Sequence, residues 1–260
     1  MPQAPADRVL LEDRVGSVLV LTLNRPDARN ALNAELIGAL NDALRSAADA
    51  EDVHTVVLTG AGDKAFCAGM DLRAFSEARE SGGGVSFGAL MWFNQGGFAK
   101  PVVGAANGHA MAGGLELLLA ADLVVAADHA RFGLPEVKRG LFPAGGGTTL
   151  SARVPMAIAM EIGLTGEAID AARAHAIGLV NRVVPLDRLL DTAMELASSI
   201  AANGPLGVQV TKRLLREAAL VDPQRGWADP ADVKRVFESE DAVEGATAFV
   251  EKRAPRWKGR

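Results

Sequence analysis

Tyrosine is absent from the chain, and cysteine occurs once, at Cys67. A single thiol can form neither an internal disulfide nor a cysteine-rich zinc site. Without tyrosine, a mechanism that needs a tyrosine acid is excluded. The four histidines, His54, His109, His129 and His175, are too widely spaced to read as a ligand set, so no structural metal is expected. Basic charge is scarce as well. Lys and Arg number 27 against 32 Asp and Glu, a net of -5, which argues against nucleic-acid binding through a broad basic surface. No stretch reaches the roughly 18 apolar residues that a bilayer span needs. Residues 1–16 interleave prolines with Asp7, Arg8, Glu12, Asp13 and Arg14, and lack the apolar segment of a secretory signal. A soluble cytoplasmic protein without a membrane partner is the expectation. Also missing are a phosphate-binding P-loop and the Gly-x-Ser-x-Gly elbow of serine hydrolases. Gly60-Ala61-Gly62-Asp63-Lys64-Ala65 looks like a dinucleotide fingerprint, but Phe66-Cys67-Ala68-Gly69 follows where that site requires a long helix.

What is present is an ordinary globular composition. With 49% hydrophobic and 23% charged residues, the chain can fill one large core or a core with a small accessory domain. Residues 15–23 read as one buried strand, ended by the turn Asn24-Arg25-Pro26-Asp27. Asn33 can cap a helix whose apolar stripe is Leu36, Ile37, Leu40 and Leu44. Further strands are read at 54–59, 101–106, 123–126, 131–133 and 179–184. A short apolar helix begins near Gly113-Gly114, and Gly145-Gly146-Gly147 opens another. From Leu186 onward the pattern is helical, broken at Gly204-Pro205 and Asp222-Pro223. This predicts an α/β core over residues 1–200 and a helical region over 201–260. The pattern alone leaves two architectures open, a doubly wound sheet and a stacked spiral of β-β-α units.

Four places carry candidate chemistry. Ala65-Phe66-Cys67-Ala68-Gly69-Met70-Asp71-Leu72 joins a strand to a helix and can leave backbone N–H groups aimed outward, or it is a plain turn. At Gly113-Gly114 a ligand can approach a helix start whose free N–H groups favour developing negative charge; tight helix packing is the alternative. Glu116 stands in the apolar run Leu115-Glu116-Leu117-Leu118-Leu119, where a carboxylate needs a reason: catalysis, a salt bridge or a helix cap. Glu136, beside Pro135 in Phe132-Gly133-Leu134-Pro135-Glu136-Val137, is a second acid in an apolar setting or an exposed turn residue. Two such acids suggest a general acid/base pair.

Together these segments resemble the enoyl-CoA hydratase/isomerase (crotonase) family. The likeness rests on Asn24-Arg25-Pro26 with Asn30-Ala31-Leu32, Ala68-Gly69-Met70-Asp71, Asn107-Gly108 through Glu116, Phe132 to Glu136, Gly140 to Gly147 and Ala176 to Asn181. Their order and spacing cover nearly the whole chain. The resemblance implies a crotonase-like spiral of β-β-α repeats with a C-terminal helical trimerisation region. A homotrimer, or a dimer of trimers, is implied with it. It also implies an acyl-CoA thioester substrate and no cofactor, coenzyme A being part of the substrate. By position, the N–H groups of Met70 and Gly113 would hold the thioester oxygen as it becomes an enolate. Glu116 would activate water for attack on the β-carbon, and Glu136 would protonate the α-carbon.

The CoA-binding residues implied are Asn24, Arg25, Ala28, Ala65, Phe66, Ala68, Asp71, Leu72, Gly114, Phe249 and Lys252, the last two often serving a neighbouring subunit. Five basic residues between Lys252 and Arg260 suit CoA phosphates. Residues 76–98 would border the acyl pocket, with Trp92 and Phe93 read as core packing rather than as a cap. The implied reaction is hydration of a 2-enoyl-CoA to a 3-hydroxyacyl-CoA. The rivals are dehydration of carnitinyl-CoA or another 3-hydroxyacyl-CoA, a 3-enoyl to 2-enoyl isomerisation, and a non-catalytic acyl-CoA- or RNA-binding protein.

Overall fold

The computed structural model describes residues 8–71, 88–139, 141–220, 231, 234–235 and 238–260. Leu72, residues 76–87 of the expected pocket border and the Asp222-Pro223 break lie outside them, as does the side chain of Phe249.

The stretch 15–23, read as one strand, is the second half of a hairpin. β1 (Leu10–Val15) and β2 (Val18–Leu23) pair antiparallel, and Gly16 turns between them at φ +59°. α1 (Ala34–Asp49) begins where Asn33 Oδ1 accepts the Leu36 N–H at 2.9 Å, and it buries Leu36, Ile37, Leu40 and Leu44.

Then the chain repeats itself. β3 (Thr55–Gly60) and β4 (Ala65–Cys67) are followed by α2 (Gly88–Asn94). β5 (Val102–Ala106) and β6 (His109–Met111) are followed by α3 (Gly113–Ala120). β7 (Leu123–Ala127) and β8 (Arg131–Gly133) are followed by 3-10 turns at Pro135–Arg139 and Gly147–Ala152 and by α4 (Met156–Thr165). β9 (Ile169–Asp170), α5 (Ala171–Ala176), β10 (Arg182–Val184), α6 (Leu186–Ala201), α7 (Pro205–Leu220) and α8 (Glu240–Glu251) complete the described elements.

Each turn of this spiral gives its first strand to a six-stranded sheet, order β1-β2-β3-β5-β7-β10, and its second to a four-stranded sheet, order β4-β6-β8-β9. From β2 onward the large sheet is parallel, and such strands are buried on both faces. Leu19, Leu21, Val56, Leu58 and Val102 point to the main core. Val18, Val20, Val57, Val103 and Val125 point the other way, under Leu189, Ala193 and Ala197 of α6. The spiral therefore supersedes the doubly wound alternative. Strands β4, β6 and β9 have no sequence signal because two or three residues are too few to show alternation.

Two buried asparagines align the repeats. Asn30 Nδ2 donates to Ala61 O (3.0 Å) and Ala65 O (2.8 Å). Asn107 donates to Gly62 O (2.8 Å) and accepts the Gly60 N–H (3.0 Å). At its far end, α3 delivers its last carbonyls to cations: Arg153 bonds Leu119 O and Ala121 O, and Arg216 bonds Ala120 O. Arg216 and Lys212 of α7 also pair with Asp122 at 3.0 and 2.8 Å. Positive charge at a helix C-terminus opposes the partial charge of the unpaired carbonyls. Burial pulls the Lys212 ammonium down to about 8 despite Asp122.

Candidate active site

β4 runs into a loop that Leu32 grips on one side. Leu32 N donates to Gly69 O (2.8 Å), and Asp71 N donates to Leu32 O (3.0 Å). The Met70 amide between them faces away. Across the gap, α3 starts at Gly113 after Ala112, whose φ of 51° and ψ of -126° turn the chain sharply. Among the described residues, neither the Met70 N–H nor the Gly113 N–H has an acceptor. The two loops touch at Gly69, where a Cβ would lie 3.2 Å from Gly113 N.

Glu116 follows in the first turn of α3 and is buried. Its Oε1 accepts the N–H groups of Gly145 (2.7 Å) and Gly147 (3.0 Å). Among the described residues neither a salt bridge nor a cap of its own helix explains it. Burial pushes this carboxyl above the usual carboxylate range, and the Gly147 and Gly145 amides offset that in part. Glu136, in the Pro135–Arg139 turn, is half-buried, and its Oε2 has no hydrogen-bond partner among the described residues. Burial raises its pKa, and the Glu116 charge adds to the rise, so the two acids sense each other.

Both carboxyls, Met70, Gly113 and Ala68 line one cavity of about 620 Å³. Its walls are otherwise mostly apolar, with Ile37, Leu90, Met91, Leu117, Leu141 and Phe142. Paired unpaired amides, two acids with raised pKa values and an apolar slot suit a carbonyl that becomes an enolate while protons move beside it. Cys67 is no rival nucleophile, since burial pushes its thiol up to about 12. No group of His, Cys, Asp and Glu among the described residues is arranged to hold a metal.

A model of the enoyl-CoA hydratase/isomerase family matches residues 13–260. The chain belongs to that family. It is 40% identical over 260 residues to the carnitinyl-CoA dehydratase of Proteus mirabilis, covering 94% of this chain and 96% of the relative. The 2,3-dehydroadipyl-CoA hydratase of Escherichia coli K12 is 40% identical over 253 residues, covering 96% and 99%. Among solved structures, a probable enoyl-CoA hydratase/isomerase from Mycobacterium abscessus is similar at a TM-score of 0.89 and 45% identity, over 97% and 99% of the two chains. An enoyl-CoA hydratase from Mycobacterium tuberculosis H37Rv gives a TM-score of 0.84 at 43% identity, over 98% and 100%.

Several residues that the family likeness had suggested for CoA do not line the cavity. Arg25 pairs with Asp71 at 3.0 Å and donates to Ala31 O, so both bind each other and brace the loop. Asn24 donates to Arg8 O, Ala28 lies in a 3-10 turn, and Ala65 O serves the two asparagines. Phe66 is fully buried, and Gly114 packs under the Cys67 carbonyl. Lys252 is exposed at a positive φ of 55°. Much of the basic tail is engaged: Arg253 with Glu244 and Glu251, Lys258 and Arg260 with Glu240.

The cavity also has polar residues that sequence reasoning missed, Arg29 and Arg139, while Asn94 lies with Leu90 and Met91 in the 76–98 stretch read as the pocket border. Arg29 and Arg139 carry no local pattern. The Gly145–Gly147 turn opens the 3-10 turn Gly147–Ala152, as read, and its Gly145 and Gly147 amides also hold Glu116. Trp92 is partly buried against the core, donating to Asn41 Oδ1 at 2.9 Å and stacking under Arg45, while Phe93 is buried beside Phe98.

Proposed function

We propose that this chain hydrates the double bond of a 2-enoyl-CoA. The observation that carries the reading is the convergence of two carboxyls and two free amides on one apolar cavity. The Met70 and Gly113 N–H groups hold the thioester oxygen. Glu116, as carboxylate, takes a proton from water as its oxygen bonds the β-carbon. The π electrons move to the α-carbon and onto the thioester oxygen as an enolate. Glu136, as acid, then gives its proton to the α-carbon while the enolate electrons form the new C–H bond. The pair exchanges its proton with solvent before the next turnover. Preorganised donors of this kind contribute about 3 kcal/mol each to the barrier lowering.

The CoA portion leaves the cavity past Ala68, and Lys252 of a second copy meets a phosphate. The second copy belongs to a homotrimer. Support comes from α4, which exposes Met156, Met160 and Leu164 along one face, an apolar surface suited to contact with another copy. Among the described residues no helix is long and apolar enough to cross a membrane, in keeping with a cytoplasmic enzyme.

The acyl group is the open variable. Relatives named for carnitinyl-CoA and 2,3-dehydroadipyl-CoA favour a second reading, the same chemistry on a substituted acyl chain, in either direction. A panel of 2-enoyl- and 3-hydroxyacyl-CoAs in ¹⁸O-water, followed by mass spectrometry, tests both. Hydration places solvent oxygen in the product, whereas a double-bond shift leaves the mass of the thioester free of it. No turnover of any thioester would refute both readings.

A further inference from the structure

Asn94 ends α2 with its side chain against the turn that holds Glu116. Its Nδ2 donates to Gly145 O at 2.7 Å. Because a carbonyl can only accept, that contact fixes which end of the amide is nitrogen. The N–H of the same Gly145 donates to Glu116 Oε1 at 2.7 Å. One backbone residue is therefore held by Asn94 and in turn holds the acid.

The other end of the amide, Oδ1, is buried and has no partner among the described residues, so the Nδ2 contact with Gly145 is the one that holds this side chain there.

We propose that Asn94 is a positioning residue for Glu116, setting the Gly145 turn through Nδ2 so that the Gly145 amide meets the carboxylate. The proposal rests on the hydratase reading. Charged groups facing Glu116 across the cavity are Glu136 and Arg139 from the Pro135–Arg139 turn and Arg29 from the loop before α1. α2 contributes only the neutral Asn94 to that wall.

Two neutral substitutions remove the donor: Asn94→Ala, and Asn94→Leu, which keeps the bulk without adding charge. Glu116 ionisation is read directly by carboxyl ¹³C NMR on glutamate-labelled protein, its signal assigned by its loss in Glu116→Gln. Both Asn94 variants should raise the Glu116 midpoint by on the order of 0.5–1 pH unit, because a loosened turn presents its amides less well. An unchanged midpoint in either variant overturns the proposal. If Asn94→Ala does not fold, Asn94→Leu decides. The titration needs no substrate, so a wild-type chain that hydrates nothing would refute the hydratase reading alone.

Discussion

A methyl group at Gly145 would sit 2.4 Å from Glu116 Oε2, and one at Gly69 would sit 2.8 Å from Ala112 Cβ and 2.9 Å from Met111 O. Gly69 also has a φ of +91°, which side chains rarely adopt. Gly69→Ala should therefore part the two loops that carry the free amides. Its kcat should drop about 10²-fold, the scale of losing one oxyanion donor, and steady-state kinetics with thermal melting as a control will show it. Glu136 makes a pH-dependent prediction. Its folded pKa is raised, so the folded state binds the proton more tightly than the unfolded chain. Stability is then lost as pH rises from the unfolded value near 4.5 through the raised folded one. Glu136→Gln lacks that loss. Its Tm advantage over wild type should be larger at pH 8 than at pH 4 in parallel melts. At this scale the sequence was legible where a residue violates its surroundings, as Glu116 does among leucines. It was silent on Arg29 and Arg139, whose chemistry depends on neighbours distant in the chain, and placed Asn94 on the pocket border without a role.

α3 is the element on which the site hangs. Its N-terminus supplies the Gly113 amide and Glu116, and its C-terminus is fastened by Arg153, Arg216 and the Lys212–Asp122 pair. Asp122→Ala would leave two largely buried cations facing each other. It should cost about 3 kcal/mol, a fall in Tm on the order of 10 °C, measured by calorimetry. Ala112 acts in the opposite sense. At φ 51° and ψ -126° a Cβ is strained by about 1 kcal/mol or more, so Ala112→Gly should raise Tm by a few degrees while keeping activity. Elements were legible from sequence largely in proportion to length, the three-residue β8 being the exception. The α1 cap at Asn33 and the long parallel strands follow from local pattern. The three-residue β4 and β6 exist because Asn30 and Asn107 bind the loops between sheets, a tertiary cause without periodicity.

For the whole molecule, pattern alone could not separate a doubly wound sheet from a spiral. The choice turns on β4, β6 and β8, which leave the large sheet to form a second one. The exposed face of α4 predicts assembly: sedimentation should give a trimer or a multiple of it, and Met160→Lys with Leu164→Lys should shift the mass toward a monomer. The account as a whole stands on two acids acting on one thioester. The most direct test is the loss of enoyl-thioester absorbance on the 2-enoyl-CoA that the wild type consumes fastest, repeated with Glu116→Gln and Glu136→Gln. Each variant should lose about 10²–10⁴-fold in kcat while melting as a folded protein. Hydration within tenfold of wild type by either one would contradict it.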